Sequence, residues 1–289
     1  MKLRIRDGEL DLSAPVLMGI VNATPDSFSD RQGPKEPGDL AELGNRLIED
    51  GAGVLDVGGE SGRTDTEAVP VEVEIERVVP VIESLAGNGA PLSVDTWRGP
   101  VAKAALAAGA AMVNDVSGLS DETVAAACAE AGAALVITHT LAPPKTKAFP
   151  DYEDVVAEVG EFLLERMEAA RKAGVADESI VLDPGIDIAK TPAQSVELLR
   201  RLPELRELGR PLLLAVSRKD FVGALTERPP AARDAGTLAA VGAAARGGAS
   251  IIRVHDVAGA ADYLRVRDAL RSGADEELEL APELRREVV

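Results

Sequence analysis

Residues 92–139, LSVDTWRGPVAKAALAAGAAMVNDVSGLSDETVAAACAEAGAALVITH, hold three short apolar runs separated by two alanine-rich segments of helical length. The run 92–94 closes on Asp95, the run 111–113 on Asn114 and Asp115, and the run 134–137 stops before His139. Strands covered on both faces read as short continuous apolar runs, and alternation with helical segments marks repeated strand–helix units of a parallel sheet.

The same unit recurs on either side. Runs at 16–21, 54–57, 180–182, 211–216 and 250–252 lead into Asn22, into Glu60 and Arg63, into Asp183, into Ser217-Arg218-Lys219, and into Arg253 and His255. Helical segments are expected at 39–49, 70–86, 99–108, 121–131, 152–173, 191–208, 232–246 and 257–270. Asp121 and Thr191 stand at N-cap positions, Pro192 suits a first helical turn, and Gly51, Gly109, Gly132 and Gly174 act as C-terminal stops. Eight such pairs predict an α/β protein, a (β/α)8 TIM barrel, with the polar strand ends gathered at one rim.

Alternation around Asp7-Gly8 in residues 3–12 predicts a small hairpin that covers the barrel floor. One barrel domain is expected over 1–272, followed by a charged tail, 273–289, to which no chemistry is assigned. Long connections at 24–38, 60–69 and 140–151 fall on the rim side. In a compact barrel such loops are functional more often than decorative, with an ordinary surface loop as the plain alternative.

A net charge of −18 opposes nonspecific binding to nucleic acid or an anionic membrane, and 2% aromatic content leaves little for base stacking. Cys128, the only cysteine, lies in an alanine-rich helical segment and reads as packing rather than as a nucleophile. With no apolar stretch near eighteen residues and no leader pattern, the chain reads as soluble and cytoplasmic.

Asp95, Asn114 and Asp183 end three strands, and Lys219 follows a fourth. Together they offer donors and acceptors for a polar heterocycle, although any one Asp alone could be a cap or an ion pair. Arg253 and His255 alternate and so point to one side, where they could hold a phosphate. In isolation they would equally make a salt bridge at a strand end.

These residues sit in motifs that resemble dihydropteroate synthase: Gly19-Ile-Val-Asn-Ala-Thr-Pro-Asp-Ser-Phe-Ser-Asp30, Asp56-Val-Gly-Gly-Glu-Ser61 with Arg63, Ser93-Val-Asp-Thr96, Asn114-Asp-Val116, Asp183-Pro-Gly185 with Lys190-Thr191, Ser217-Arg-Lys219 and Arg253-Val-His-Asp256. The resemblance runs in order from about residue 16 to 270. It implies a transferase that joins 6-hydroxymethyl-7,8-dihydropterin pyrophosphate to 4-aminobenzoate with release of pyrophosphate, in folate biosynthesis. Carried over, it gives the pterin to Asp95, Asn114, Asp183 and Lys219, with Asp95, Asp183 and Lys219 as the catalytic set. Asn22, Arg63, Arg253 and His255 take the pyrophosphate, and Asn22 also helps bind the cofactor Mg2+. Arg63, Ile188 and Asp220 border the arylamine acceptor. A homodimer through barrel helices is implied as well.

The sequence departs from that family in places. Gly62 and Thr64 replace a Thr and a Pro, Asp187-Ile188-Ala189 replace Gly-Phe-Gly, and Thr138 replaces a Met. Ala215 replaces a Gly, and Asp220 replaces a Ser and brings a carboxylate toward the acceptor's own. Actinobacterial second copies carry elements like 93–98 and 139–140, which opens a second reading: a divergent paralogue that binds a pterin or pyrophosphate ligand without turnover. A corrinoid-partnered methyltransferase barrel is a third, and residues 24–30 with Arg253 and His255 argue against it.

Overall fold

The computed structural model describes residues 1–24, 36–62, 64 and 66–273. Most of the expected rim loop at 24–38, the residue Arg63, and the tail beyond Gly273 therefore lie outside the described residues.

The chain opens with the expected antiparallel hairpin, β1 (Lys2–Ile5) and β2 (Gly8–Asp11), turning through Arg6-Asp7 with Gly8 as the first residue of β2. Eight strands follow: β3 (Val16–Asn22), β4 (Val54–Gly58), β5 (Leu92–Asp95), β6 (Met112–Asp115), β7 (Ala134–Thr138), β8 (Ile180–Asp183), β9 (Leu213–Ala215) and β10 (Ile251–Val254). Each pairs in parallel with its sequence neighbour from β3 to β8 and from β9 to β10, and β10 pairs with β3. The remaining seam is closed between β8 and the start of β9 by a parallel bridge, Leu182 to Leu212, with the Leu182 N–H donating to Pro211 O at 3.0 Å. The sheet is thus the expected (β/α)8 barrel.

Among the described residues ten α-helices cover it: α1 (Pro37–Glu49), α2 (Val71–Leu85), α3 (Gly99–Ala108), α4 (Glu122–Ala131), α5 (Val155–Lys172), α6 (Pro192–Arg200), α7 (Leu202–Leu205), α8 (Asp220–Thr226), α9 (Asp234–Gly247) and α10 (Val257–Ser272). The single helix expected over 191–208 is broken into α6, α7 and a 3-10 turn. Pro203 has no N–H and its ring clashes with the preceding turn, so the helix cannot run through. Helix α8 was not expected either. Asp121 caps α4 by accepting from Thr123 N, and Thr191 with Gln194 forms a capping box on α6.

Side-chain parity explains where the chemistry lies. Leu3, Ile5 and Leu12 of the hairpin pack with Met18, Val54, Met112, Ala134, Val136, Val181, Leu213 and Ile251 in one cluster, separate from the strand–helix shell. The hairpin therefore plugs the barrel floor, and those strand residues face inward. Truncating any of the large ones to Ala would cost about 2–5 kcal/mol. Because side chains alternate along a strand, the next inward positions toward the rim are Asp56, Asn114, Thr138, Asp183, Ala215 and Arg253. On β4, β6, β7, β8 and β10 the inner face thus changes from apolar to polar within one side-chain step, while Ile20 on β3 and Ala215 on β9 remain apolar. Among the described residues no helix is long and apolar enough to cross a membrane.

Candidate active site

The rim encloses a cavity of about 660 Å³. Of the residues expected in the site, Asn22, Asp95, Asn114, Asp183, Ile188, Lys219, Asp220 and Arg253 line it. His255 stands beside it, just beyond β10, with Nδ1 2.9 Å from Ser217 Oγ.

The deepest feature is a cross-barrel ion network. Arg253 donates through Nε to Asp56 at 2.6 Å and through an Nη to Asp95 at 2.9 Å, while Asn114 Nδ2 donates to Asp56 at 3.0 Å. Asp56 is fully buried and carries no role in the sequence expectation. Its signal was a carboxylate inside the apolar run Val54-Leu-Asp-Val, at an inward position. Arg253 also departs from the expectation of a free phosphate grip, since two of its five N–H groups are committed to carboxylates.

Burial drives the titration of these groups. Desolvation pushes Asp95 up to about 7 against the pull of Arg253, with Asp56 adding to the rise. Desolvation likewise raises Asp183 to about 6, opposed by the Gly185 N–H, which donates to its Oδ1 at 2.7 Å, and by Lys219 and Lys190. Desolvation, then Arg253, Arg218 and Lys219, press His255 down to about 3, so its imidazole is neutral near pH 7. Arg253 is held above its ordinary value because Asp56 and Asp95 outweigh its burial.

The loop after β8 is tethered by Lys190, a residue without an assigned role in the sequence expectation and 1% exposed. Its Nζ lies 2.8 Å from His139 Nδ1, and donates to Gly185 O at 3.1 Å and Ile188 O at 3.0 Å. This fixes the segment holding Asp187 (φ 60) and Ala189 (φ 49), both left-handed where the related family has glycine. Asp187 offsets its strain: Oδ1 accepts from Ser195 Oγ at 2.8 Å, and Oδ2 accepts from Phe221 N at 3.1 Å, which ties the loop to the start of α8.

A second tether crosses the mouth. Lys145, in the loop after β7, donates to Ser61 O and Thr66 Oγ1, both at 2.7 Å, and Arg98 bridges Glu60 and Glu74. Residues 60–66 of the connection after β4 are thus held from the loops that follow β5 and β7.

Asp220 was expected to repel an acceptor carboxylate. Its Oδ1 instead accepts from Arg233, itself largely buried, at 3.1 Å, so the charge it brings is countered. A Cβ at Gly62 would meet no described atom within 4 Å, so no described neighbour requires glycine there. Cys128 is buried and its thiol is pushed up to about 12 by desolvation, with Asp115 adding to the rise, which agrees with packing rather than nucleophilic chemistry.

Comparison with known proteins agrees with this geometry. Residues 18–255 match the family model described as pterin binding enzyme. A dihydropteroate synthase from Synechocystis is 42% identical over 258 residues, covering 88% of this chain and 89% of that protein. Among solved structures, dihydropteroate synthase from Xanthomonas albilineans with 4-aminobenzoic acid superposes with a TM-score of 0.88 at 45% identity, covering 94% of this chain and 99% of that one. The same enzyme in complex with 7,8-dihydropteroate gives 0.85 at 44%, covering 95% and 100%. The chain belongs to the dihydropteroate synthase family of pterin-binding enzymes, transferases of folate biosynthesis.

Proposed function

We propose that this barrel mouth condenses 6-hydroxymethyl-7,8-dihydropterin pyrophosphate with 4-aminobenzoate, using Asp95, Asn114, Asp183 and Lys219 for the pterin. The observation that carries the reading is the convergence of these four residues, from β5, β6, β8 and the start of α8, on one cavity. The carboxylates of Asp95 and Asp183 favour the positive charge that develops on the pterin methylene as the C–O bond to pyrophosphate breaks. Lys219 completes the polar set around the ring.

The arylamine nitrogen then attacks the methylene, and the protein supplies orientation and a fixed field rather than a covalent nucleophile. Arg253, anchored by two carboxylates, keeps three N–H groups for the leaving group. Asn22, Arg63 and His255 complete the pyrophosphate side of this reading. Arg63, Ile188 and Asp220 border the acceptor.

Asn22 fits a magnesium site. It ends β3 across from Gly58 and lines the cavity together with the Asp95 carboxylate, so its amide oxygen is an available hard donor there. Mg2+ is commonly held by one or two protein oxygens together with substrate phosphates. Bound there, it would neutralise charge on the departing pyrophosphate.

A cytoplasmic homodimer belongs to the same reading. An apolar groove between α6, α8 and α9, with Leu225 71% exposed, supports association through barrel helices.

Pyrophosphate release and pteroate formation by the purified protein, with both substrates and Mg2+, test the proposal. Turnover abolished by Asp183→Asn and raised in Mg2+ requirement by Asn22→Ala is expected. A wild-type protein that binds the pterin yet forms no pteroate would favour the non-catalytic paralogue, for which the related proteins above offer no support.

A further inference from the structure

Between β4 and α2 the described residues form neither helix nor strand, yet Glu60, Gly62 and Thr64 line the cavity. Their placement therefore depends on side-chain tethers, and these converge on one ammonium. Lys145 Nζ donates to Ser61 O and to Thr66 Oγ1, both at 2.7 Å, and stands 3.6 Å from Glu60 Oε1. Glu60 also accepts from Val69 N at 3.3 Å and pairs with Arg98 at 2.8 Å. Residues 60 and 61 on one side, and 66 and 69 on the other, are thereby fixed around the stretch that carries Gly62 and Thr64. The strand order β4-β5-β6-β7 separates the two loops by the strands that carry Asp95 and Asn114, so the contact spans the mouth past both.

The backbone at Lys145 carries a second signal. Residues 143–146 form a turn closed by Thr146 N donating to Pro143 O at 3.1 Å, and Lys145 occupies its third position with φ 65. A left-handed third position ordinarily goes to glycine, because Cβ is crowded there. A lysine kept against that preference calls for a compensating contact, and its side chain, 11% exposed, makes one with the connection after β4. Of the three N–H groups of the ammonium two are committed at 2.7 Å, and the Glu60 carboxylate balances the charge. Lys145 therefore acts on the site through the neighbouring loop and not by touching substrate.

We propose that Lys145 is a positioning residue for the arylamine step: from the loop after β7 its ammonium holds residues 61–66, and with them the cavity wall at Gly62 and Thr64, where that wall meets the acceptor. The inference rests on the reading above, in which the connection after β4 borders the arylamine. The pterin, by contrast, is assigned there to Asp95, Asn114, Asp183 and Lys219, none of which Lys145 binds. Attack on the methylene requires the amine in near-attack geometry, and a wall displaced by about 1 Å costs up to about 100-fold in rate. Loss of the tether is therefore felt when the amine is engaged and not when the pterin binds.

Steady-state kinetics of pteroate formation, together with calorimetry using 6-hydroxymethyl-7,8-dihydropterin without its pyrophosphate, test this on Lys145→Met, on Thr66→Val, which keeps every charge, and on the double variant. Lys145→Met should lower kcat/KM for 4-aminobenzoate about 10- to 100-fold, while its pterin affinity stays within about twofold of the wild type. Thr66→Val should show a smaller loss of the same kind, and the double variant should lose no more than Lys145→Met alone, because one contact carries both effects. Unchanged kcat/KM in Lys145→Met would overturn the proposal. So would an equal loss of pterin affinity, since the tether would then support the whole mouth, and so would single-variant losses that add in the double variant. Wild-type protein that forms no pteroate would instead sink the parent reading, and this one with it.

Discussion

Replacing Lys190 by Met removes a buried ammonium and the tether it makes to Gly185 O, Ile188 O and His139. Desolvation lowers this lysine to about 7; Asp183 and Asp187 act to raise it and Lys219 to lower it. The unfolded chain keeps an ordinary value of 10.5. Between pH 7 and 10.5 the unfolded state therefore binds more protons at this position than the folded state, so the group's contribution to stability rises with pH, at a limiting slope of about 1.4 kcal/mol per unit. Integrated from pH 7 to 9, the difference amounts to about 2 kcal/mol. Lys190→Met abolishes that gain, so its destabilisation relative to the wild type should be about 2 kcal/mol larger at pH 9 than at pH 7, because the contributions of other groups cancel in the comparison. Urea unfolding of both proteins at the two pH values measures it. The acceptor loop should also loosen, with KM for aminobenzoate rising more than KM for the pterin. A destabilisation of equal size at both pH values would refute the reasoning, since the ammonium would then be titrating as if in water.

Three further outcomes follow from the same contacts. Asp183→Asn should weaken pterin binding by about 10- to 100-fold, because a charge-assisted acceptor is lost, without lowering the Tm of the unliganded protein, whose Asp183 carboxylate is already disfavoured by burial; calorimetry and thermal melts read the two effects. Ala189→Gly should stabilise the protein by about 1 kcal/mol by relieving a left-handed alanine, whereas Asp187→Gly should destabilise it through loss of the bonds to Ser195 and Phe221; urea midpoints distinguish them. Arg253→Met strands Asp56 and Asp95 and should cost about 3–5 kcal/mol at pH 8. That cost should shrink toward pH 5.5. Asp95 stands at about 7 with Arg253 present and rises further without it, so at pH 8 the folded wild type has given up a proton there that the folded variant still holds, whereas at pH 5.5 both hold it and the difference vanishes; the pH series of urea melts checks this.

The barrel and its polar rim were legible because both follow from local rules. Strand runs such as 92–94 and 134–137 announce themselves by composition, and parity carries Asp95, Asn114, Asp183 and Arg253 inward without knowledge of their neighbours. Helix α8 was hidden because its seven residues, within the short stretch between Ser217-Arg-Lys219 and Pro229-Pro230, are too few to establish a helical period. The break at Pro203 was readable in principle, but the strong capping box at Thr191 and the apolar positions beyond it suggested one helix. The tethers left no sequence trace. Lys190 and His139 are 51 residues apart, Lys145 and Thr66 are 79 apart, and nothing in either local pattern names its partner.

Electrostatics in the mouth explain how a chain of net charge −18 can receive a polyanionic leaving group. Surface carboxylates are screened within about 8 Å at physiological ionic strength, whereas charges inside the mouth act through low-dielectric surroundings and dominate there. Arg253 is the clearest case. Unaccompanied, a buried guanidinium would be costly; flanked by Asp56 and Asp95 it is held in one orientation, and its two committed N–H groups leave the others directed by that geometry. Burial, against that pairing, keeps Asp95 from being simply anionic. Burial and Asp56 push it toward protonation, Arg253 pulls it back, and the balance at about 7 makes its charge responsive to whatever enters the cavity. On the proposed reading, an incoming pyrophosphate would draw on Arg253 and so weaken the hold on Asp95, while positive charge developing on the pterin would favour the ionised carboxylate. Coupling of the two ends of the substrate through one arginine follows from the placement of Arg253 on β10 across from β4 and β5.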